Sequence, residues 1–412
     1  EINIYDIKRG SVSTPEIKLN DTRFVSPISV KVEVPENVAL SPDGKKLAFS
    51  FRGALFVSDS KGNFVTALPV TSLERVTEVQ WADDNTLYYL RTNKGFGNIF
   101  KMKPAEGVES TIYTPSMNIK SLTVSNKRDK IAFIEGSNRI MSLNLKDDKT
   151  SELTKQEFWS FQGYPLHFSA DDKNLLFSAM NLFDRDIFIY NFENKSVLNL
   201  TNSATPEDDP QVTKDGKYIY FTANRLNPSF PRGAQESIFR VALRNSDTPF
   251  QSNEFEKLFT KSKATSDSLI SVVERDFQRR YEPLMRSNGY QNSPYLFTSG
   301  SKSYILFNSN HEGESGLYVQ EIKDWDQKPP QRVKGIRSAM SYISNGNTLM
   351  VLDRTGLYSV EPAGASATKI EINHSFSKSI TDEFSQMLYE VWALLEQNFY
   401  DVNFHGTDWY KV

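Results

Sequence analysis

The sequence predicts an all-β fold, a seven-bladed β-propeller with four-stranded blades, followed by a C-terminal amphipathic helix. Three observations predict it: a turn motif that recurs, a nearly constant spacing between its copies, and short aromatic-rich strands around each copy. The first copy is Ser41-Pro42-Asp43-Gly44, which lies between an apolar run ending at Leu40 and an alternating run from Leu47 to Phe51. Proline fixes φ and glycine accepts a positive φ, so this motif predicts a tight β-hairpin.

Six further copies of this hairpin follow with degenerate turns. The turn residues lie at positions 43, 84, 129, 172, 215, 301 and 346. Their spacings are 41, 45, 43, 43, 86 and 45 residues, and the value of 86 corresponds to one repeat plus an insertion. A period in the low forties with several short strands per unit is typical of four-stranded propeller blades.

The strands of each repeat follow one template. In the first blade we predict strands ending at Leu40, from Leu47 to Phe51, from Leu55 to Ser58 and from Phe64 to Leu68. The second strands of the later blades are predicted at Leu87–Leu90, Ile131–Ile134, Leu175–Ser178, Tyr218–Phe221, Tyr304–Phe307 and Leu349–Leu352. These strands are strongly apolar, as expected where neighbouring blades bury both faces of every sheet.

Composition excludes several functional classes. The 412 residues have room for two or three average domains, but a repeat array can also form one large ring. The net charge is −3 with both signs spread along the chain, so no nucleic-acid partner is expected. No apolar run reaches the roughly 18 residues of a membrane span, so the sequence predicts no membrane-spanning segment. The absence of cysteine excludes disulfides and a thiol nucleophile.

Residues 1–35 do not fit the repeat and allow two interpretations. Ile2–Ile7 and Pro15–Leu19 look like the two outer strands of a blade whose inner strands are missing. They are either the end of an upstream propeller with a linker, or an edge strand that completes the last blade and closes the ring. Residues 36–373 are assigned to the seven-bladed propeller.

An insertion is predicted between blades five and six. Residues 223–235 form a long hairpin loop, and residues 244–268 are polar and weakly patterned. Strand-like alternation resumes from Ile270 to Arg286. Loops of this length in a compact fold tend to be functional or disordered.

The period changes after Asn373, and residues 374–412 are assigned to a linker and a first helix of a further domain. Apolar residues at helical spacing form one stripe: Phe384, Met387, Leu388, Val391, Trp392, Leu395 and Phe399. Ser379-Ile380-Thr381-Asp382 offers a capping box at the helix start. A stripe that contains Trp and Phe needs a partner surface.

The residues able to carry chemistry do not converge in the sequence. Of the four histidines, His167 is expected in the core, His311 and His405 in turns, and His374 in the linker. None has a second histidine at metal-ligand spacing, so zinc is not expected.

Other candidate motifs are incomplete. Gly364-Ala365-Ser366-Ala367-Thr368 lacks the second glycine of a nucleophile elbow, and Gly95-Phe96-Gly97 lacks the third glycine of a dinucleotide loop. Asp83-Asp84 and Asp171-Asp172 occupy the repeat's own turns, and Asp208-Asp209 is a third pair. We predict no catalytic residue, no cofactor-binding residue, no cofactor and no metal site in this chain.

Two segments resemble tricorn-like serine peptidases. Leu40–Phe56, with Arg52-Gly53 before the third strand, resembles the opening blade of the family's second propeller. Trp392–Trp409 looks like the passage from that propeller into the peptidase half, with Phe399-Tyr400-Asp401 and His405-Gly406-Thr407-Asp408-Trp409 in the same order. TolB-like propellers share the first motif, whereas the second motif is more specific.

The resemblance implies a division of the chain. Residues 1–23 would end a first propeller, 36–372 would form the second, and the chain from 379 would open the helical part before the PDZ and catalytic regions. The family's catalytic His and Ser lie beyond the equivalent of His405, so no catalytic residue is carried over. The resemblance also implies a selective channel that admits unfolded peptides to a protease chamber.

Two main functional hypotheses remain at this point, beside a third, the propeller of a sugar or dipeptide hydrolase whose chemistry lies outside this chain. The chain is either the substrate-gating propeller of a serine peptidase, inactive alone, or a TolB-like propeller that serves as a protein-binding scaffold. Full packing of residues 379–412 onto the propeller would favour the scaffold. The expected partners are peptides or unfolded polypeptide, the rest of its own chain and further copies in a homo-oligomer. Exported bacterial relatives favour the periplasm over the cytoplasm.

Overall fold

The computed structural model describes residues 3–15, 27–71, 73–159, 163–226, 236–243, 270, 272, 277–323, 327–401 and 403–411. In this part of the chain, seven four-stranded antiparallel sheets follow one another in sequence order, which confirms the predicted seven-bladed propeller. Each blade is a simple meander, so its first strand lies next to the axis of the ring and its fourth strand lies outermost.

The chain enters the ring after a hairpin of β1 (Ile4–Asp6) and β2 (Ser11–Ser13) and a strand β3 (Ile28–Lys31). Blade one contains β4 (Glu36–Leu40), β5 (Lys46–Phe51), β6 (Ala54–Asp59) and β7 (Val65–Ala67), and blade two contains β8 (Val76–Trp81), β9 (Leu87–Asn93), β10 (Phe96–Lys103) and β11 (Val108–Tyr113). Blade three contains β12 (Ile119–Val124), β13 (Lys130–Glu135), β14 (Arg139–Asn144) and β15 (Lys149–Lys155). Blade four contains β16 (His167–Phe168), β17 (Asn174–Asn181), β18 (Asp184–Asn191) and β19 (Ser196–Asn199).

Blade five contains β20 (Glu207–Val212), β21 (Tyr218–Ala223), β22 (Ser237–Ala242) and β23 (Glu282–Pro283). Blade six contains β24 (Gln291–Ser299), β25 (Lys302–Ser309), β26 (Gly316–Glu321) and β27 (Gln331–Arg332). Blade seven contains β28 (Ser341–Asn345), β29 (Thr348–Asp353), β30 (Gly356–Glu361) and β31 (Ser366–Ile370). The last strand is β32 (Ser375–Lys378), and helix α1 (Ile380–Asn398) follows it.

The predicted turns join the first and second strands of the blades. In blade one, Ser41 Oγ donates to Asp43 Oδ1 at 2.5 Å, and Gly44 has a φ of +70°, which glycine tolerates. The arrangement recurs in blade five, where Thr213 replaces the serine and donates to Asp215 at 2.7 Å. The repeated sequence motif is therefore a repeated side-chain-capped turn.

The core consists of apolar layers between neighbouring blades. Between blades one and two, Leu55 packs in one cluster with Trp81 and Tyr89, and all three are buried. Between blades seven and one, Leu47 shares a cluster with Met350. The ring is therefore closed by the same kind of contact that joins its consecutive blades.

Polar contacts also close the ring. Asn345 Nδ2 of blade seven donates to the Ser41 carbonyl of blade one at 2.8 Å, and β3 pairs with β32 outside the blades. Blade seven takes its fourth strand from β31, and within the described residues β1 and β2 pair only with each other. The interpretation in which residues 1–35 complete the last blade therefore does not hold for the described residues. Their assignment to an upstream propeller stays a prediction.

The insertion lies inside blade five. Its fourth strand, β23, comes after the inserted residues, so the predicted position between blades five and six was wrong. An outermost strand pairs on one side only, so two residues placed after a long excursion are enough to form it. Instead of the strand predicted for Ile270–Arg286, the structure has a 3-10 turn at Phe277–Arg280 and then β23. Residues 227–235 and 244–269 of the predicted loops lie outside the described residues.

The predicted capping of helix α1 is confirmed. Ser379 is its N-cap and accepts a hydrogen bond from the backbone N–H of Asp382 at 3.3 Å. None of the helices in the described part of the chain combines the length and apolar character that a bilayer span requires.

Candidate functional site

The ring has two faces because the strands of each blade alternate in direction. The turn face carries the connections between first and second strands and between third and fourth strands, such as residues 41–45 and 60–64. The helix face carries the connections between second and third strands and between blades, such as residues 52–53 and 68–75. Helix α1 lies on the helix face and reaches blades one, two and three.

Helix α1 contacts the ring through its polar edge. The Glu383 carboxylate accepts hydrogen bonds from Nη2 and Nε of Arg52, the latter at 2.9 Å. Glu390 Oε1 lies 3.2 Å from Nε of Arg75. Gln386, between them on the helix, is buried. Ion pairs and polar contacts therefore fix the helix on the first two blades.

Gly95, in the turn between β9 and β10, allows the helix to approach closely. Its φ is +86°, and a Cβ at this position would overlap the Tyr389 carbonyl and lie 2.8 Å from Cβ of Ala393, which is fully buried. The Gly95-Phe96-Gly97 segment thus takes part in helix docking. Sequence reasoning weighed it only as an incomplete nucleotide loop and missed this role.

The apolar stripe of α1 faces away from the ring. Six of its seven predicted members are between 36% and 65% exposed: Phe384, Met387, Leu388, Val391, Leu395 and Phe399. The predicted amphipathic pattern is present, but in this chain the polar side is the buried one. The helix therefore does not pack fully onto its own propeller.

The first strands of the blades surround the axial tunnel. A cavity of about 840 Å³ opens at its helix-face end. Blades seven, one and two supply its wall, which includes Glu36, Asn37, Glu78, Tyr342 and Arg354. The tunnel entrance on this face is therefore lined by apolar residues together with polar and charged side chains of both signs.

Bulges interrupt the first strands of several blades at equivalent positions. The bulged residues with positive φ are Asn37, Ser121, Asp209 and Ser293. A bulge removes backbone groups from the strand ladder. In blade three, the amides of Ser121 and Leu122 donate instead to the Glu78 carboxylate at 2.9 and 2.6 Å. Burial raises the pKa of Glu78, and these two hydrogen bonds oppose the rise.

A stacked tyrosine pair joins the first strands of blades six and seven. The ring centroids of Tyr295 and Tyr342 are 4.6 Å apart and their planes differ by 6°. The Tyr342 hydroxyl donates to the Ser293 carbonyl at 3.0 Å, and the Tyr295 hydroxyl is 2.6 Å from that of Ser344. Burial raises the pKa of Tyr342 well above its ordinary value, and Asp209 of blade five adds to the rise. Three blades therefore converge at this level of the tunnel.

Two titratable groups of the first strands have pKa values shifted in opposite directions. Burial raises the pKa of Asp209 to about 6; Glu236 adds to the rise and Arg185 opposes it. Burial lowers the pKa of His167 to about 4, so its ring is neutral at physiological pH. Nε2 of this ring lies 2.9 Å from the Gln211 side-chain nitrogen of the next blade.

The four histidines are far apart in the fold. His167 lies in β16, His311 lies in a turn and bonds the Ser309 hydroxyl at 2.9 Å, and His405 lies in a 3-10 turn at Phe404–Gly406. His374 precedes β32, and its carbonyl accepts the backbone N–H of Val32 at 2.9 Å. Across the described ranges, no group of three or more His, Cys, Asp or Glu residues is arranged to hold a metal ion.

The aspartate pairs have two different roles. Asp84 accepts a hydrogen bond from the backbone N–H of Asp43 at 2.7 Å, and Asp172 accepts hydrogen bonds from backbone N–H groups in the turn of blade three. The aspartate pairs in the repeated turns therefore connect the turns of neighbouring blades. Asp208-Asp209 lies in the first strand β20 instead, where Asp208 pairs with Arg185. Its position outside the repeated turn was the signal that could have marked it as part of the tunnel wall.

Comparisons with known proteins agree with this architecture. A family model described as the tricorn protease C1 domain matches residues 380–412. A putative tricorn-like protease C-terminal subunit of Sulfurisphaera tokodaii is 22% identical over an alignment of 441 positions, which covers 87% of this chain and 49% of the relative. The crystal structure of the tricorn protease matches with a TM-score of 0.67 at 16% identity, over 97% of this chain and 40% of that one. The chain is therefore similar to tricorn-like proteases over most of its length.

This tricorn-like chain spans about half the length of the curated relative that it matches. A puromycin-hydrolyzing peptidase of Mycobacterium tuberculosis also matches, with a TM-score of 0.56 at 10% identity, over 82% of this chain and 53% of that one. A prolyl endopeptidase matches with a TM-score of 0.53 at 13% identity, over 85% and 49%. At such identities, the structural likeness shows the shared propeller fold and not a shared activity.

Proposed function

We propose that this tricorn-like propeller gates the entry of peptides to a serine peptidase site that lies outside these 412 residues. In this proposal an unfolded peptide passes along the axial tunnel, and the chain itself does not cleave it. The observation that carries the proposal is that the tunnel cavity and helix α1 lie on the same face of the ring. A peptide leaving the tunnel there would emerge beside the helix.

The exposed stripe of α1 supports the same assignment. Apolar residues such as Leu388 and Val391 remain more than half exposed, although burying a side chain of this size contributes about 1.5–3 kcal/mol. The family model of the C1 domain begins at the first residue of this helix. We therefore assign the stripe to the interface with the rest of the peptidase half.

The tunnel wall supports passage without strict sequence selection. An extended peptide carries one donor and one acceptor per residue. The wall offers carboxylates, an arginine and a flat tyrosine pair, which suit contact with a backbone and with apolar side chains.

The division of the chain follows from this proposal. Residues 1–35 would belong to an upstream propeller and linker, 36–373 to the gating propeller, and 374–412 to a linker and the first helix of the peptidase half. Assembly into a homo-oligomer and a periplasmic location remain predictions. The scaffold alternative required residues 379–412 to pack fully onto the ring, and the exposed stripe favours the gate instead.

Single-cysteine labelling tests peptide entry at the tunnel. Because the sequence has no cysteine, Ser341→Cys introduces one attachment site at the cavity for an environment-sensitive fluorophore. We expect a saturable fluorescence change when a reduced and alkylated unfolded protein is added. Phe64→Cys, on the exposed turn face, is the matched control and should give no saturable change.

Two results would contradict the proposal. Equal responses at the two positions would mean that the polypeptide does not enter at the tunnel. Cleavage of peptides by the purified 412-residue chain would mean that the division between gate and peptidase is wrong.

A further inference from the structure

A cationic pocket lies on the helix face of the ring, between blades six and seven. Its volume is about 600 Å³, within the roughly 300–1,000 Å³ of ordinary ligand pockets. The connection between β27 and β28 forms one wall, and β30 with the turn before it forms the other. The pocket shares no lining residue with the tunnel cavity described above.

Three cationic side chains line the first wall, namely Arg332, Lys334 and Arg337. Arg332 donates to the Ser315 carbonyl at 3.2 Å and lies 3.9 Å from the exposed Glu314 carboxylate. Lys334 and Arg337 are exposed and have no hydrogen-bond or ion-pair partner among the described residues. Two of the three positive charges are therefore not neutralised within the described part of the chain.

The opposite wall presents a hydroxyl oxygen that can accept a hydrogen bond. Asp353 is 2% exposed, and its Oδ1 accepts hydrogen bonds at 2.6 Å from the backbone N–H and from Oγ1 of Thr355. The Thr355 hydroxyl has one proton and donates it to Asp353, so the Tyr358 hydroxyl, 2.7 Å away, donates to Thr355. The Tyr358 oxygen keeps a lone pair for a donor in the pocket.

The connection between the blades adds backbone donors. Gly335 has a φ of +89°, and a Cβ there would lie 2.5 Å from the Ala367 carbonyl oxygen, so this position requires glycine. The backbone N–H groups of Gly335 and Arg337 have no hydrogen-bond partner within the described ranges, and both residues are exposed. Neighbouring N–H groups beside a residue of positive φ commonly bind anions.

We infer that this pocket binds a small phosphomonoester that also carries hydroxyl groups, such as a sugar phosphate. The three cations and Asp353 give the lining a net charge of +2, which complements the roughly −1.5 to −2 of a phosphomonoester at neutral pH. Arginine and lysine both bind phosphate oxygens through charge-assisted hydrogen bonds. A phosphate alone would leave most of the volume and the Tyr358 lone pair unused. The inference does not depend on the proposed gating function.

Isothermal titration calorimetry of the 412-residue protein with glucose 6-phosphate tests the pocket. We expect saturable binding, and no measurable binding of glucose, which lacks the charge. Glucuronate places a singly charged carboxylate at the position of the phosphate, so it should bind roughly tenfold more weakly. Inorganic phosphate has no sugar hydroxyl for Tyr358 and should also bind roughly tenfold more weakly.

Variants separate the charges from the hydroxyl. Lys334→Gln and Arg337→Gln should each weaken binding of glucose 6-phosphate roughly tenfold, and the unfolding midpoint should not change because both side chains are exposed. Lys149→Gln, an exposed lysine of blade three, is the matched control and should change binding less than about twofold. Tyr358→Phe should weaken binding of glucose 6-phosphate and leave that of inorganic phosphate unchanged.

Four results would overturn the inference. These are equal affinity for glucuronate, equal affinity for inorganic phosphate, an equal loss in Lys149→Gln, or no saturable heat with glucose 6-phosphate. Equal affinity for inorganic phosphate would mean that the pocket recognises a free anion only. The tunnel label at Ser341→Cys is read separately, so failure at one site is distinguishable from failure at the other.

Discussion

The two faces of this ring are built from the same repeat but differ in chemistry. On the turn face, the first turns are polar and capped by side chains, as in Ser41 with Asp43 and Thr213 with Asp215. Among the described residues, the helix-face connections expose six large apolar residues, whereas the turn face exposes two, Phe64 and Val108; the six are Leu73, Met117, Trp159, Leu182, Phe183 and Met340. The tunnel cavity and helix α1 both lie on the helix face.

The difference shows which constraints act on each face. Turn-face residues form hydrogen bonds that hold adjacent blades together, such as those that the backbone N–H groups of Asn126 and Lys127 in blade three donate to Asp172 in blade four. On the helix face, Phe183 is 88% exposed and so buries little of its apolar surface within the described residues. Leu182 beside it has a φ of +61°, a position that glycine would occupy more easily. Exposed apolar surface of this kind marks interaction sites, so we expect partners to contact the helix face.

Two turn glycines with positive φ, one on each face of the ring, give the strongest test of this comparison. Gly95 and Gly44 have similar positive φ values, so alanine strains both by about 1 kcal/mol. Only Gly95→Ala would also push its Cβ into the backbone of helix α1, which adds about 1–3 kcal/mol of overpacking. We expect Gly95→Ala to detach the helix, seen as rapid proteolysis near residue 379 and a lower unfolding midpoint.

Gly44→Ala is the matched control, because nothing lies within 4 Å of its added Cβ. It should lower stability slightly and leave the helix protected from protease. If both variants behaved alike, the helix would not be held by close approach at Gly95, and the helix face would lose its distinguishing contact.

On the turn face, Asp172→Ala should cost less, about 2 kcal/mol of unfolding free energy. The substitution leaves the backbone N–H groups of Asn126 and Lys127 without the acceptor they now contact at 2.8 and 2.7 Å. Asp172→Asn tolerates the φ of +59° but keeps only one of the two acceptor oxygens, because its NH2 group replaces the other, so it should lose about half as much stability as the alanine variant. Urea unfolding of the two variants measures the difference. An equal loss in both variants would contradict this prediction, because the acceptor oxygen kept by asparagine would then contribute nothing.

The fold was predictable because its information is local and repeated. A capped turn such as Ser41-Pro42-Asp43-Gly44 depends on four neighbouring residues, and the spacing of its copies reports the blade size directly. The insertion in blade five was misplaced because a two-residue outer strand, β23, carries almost no pattern of its own. Its identity depends on pairing with Phe239 and Arg240, which lie far away in sequence.

The candidate site was harder to predict because its residues meet only through the ring. Tyr295 and Tyr342 are 47 positions apart in the sequence, yet they stack because their blades are adjacent. The stripe of α1 was read correctly as amphipathic, but periodicity alone does not reveal which side contacts the ring. Glu383 and Arg52 decide that orientation, and their pairing spans more than three hundred residues.

The smallest effect that we expect is on the pH dependence of stability, which compares the two ends of the tunnel. Asp209 lies near the helix-face start of β20, and His167 lies just before the turn of blade four. Because the folded pKa of Asp209 is raised from 3.8 to about 6, the folded state holds more protons in this window and stability falls as pH rises through it. Because the folded pKa of His167 is lowered from 6.5 to about 4, stability rises with pH between these values.

The two slopes oppose each other in the wild-type protein, so single variants should reveal them. Relative to wild type, Asp209→Asn should make stability rise more steeply between pH 4 and pH 6, and His167→Gln should make it fall. Urea unfolding midpoints across this range measure both changes. Opposite changes would show that the helix-face end of the tunnel takes up protons on folding and the turn-face end releases them. Parallel changes would contradict this assignment, because the two ends would then share one electrostatic environment.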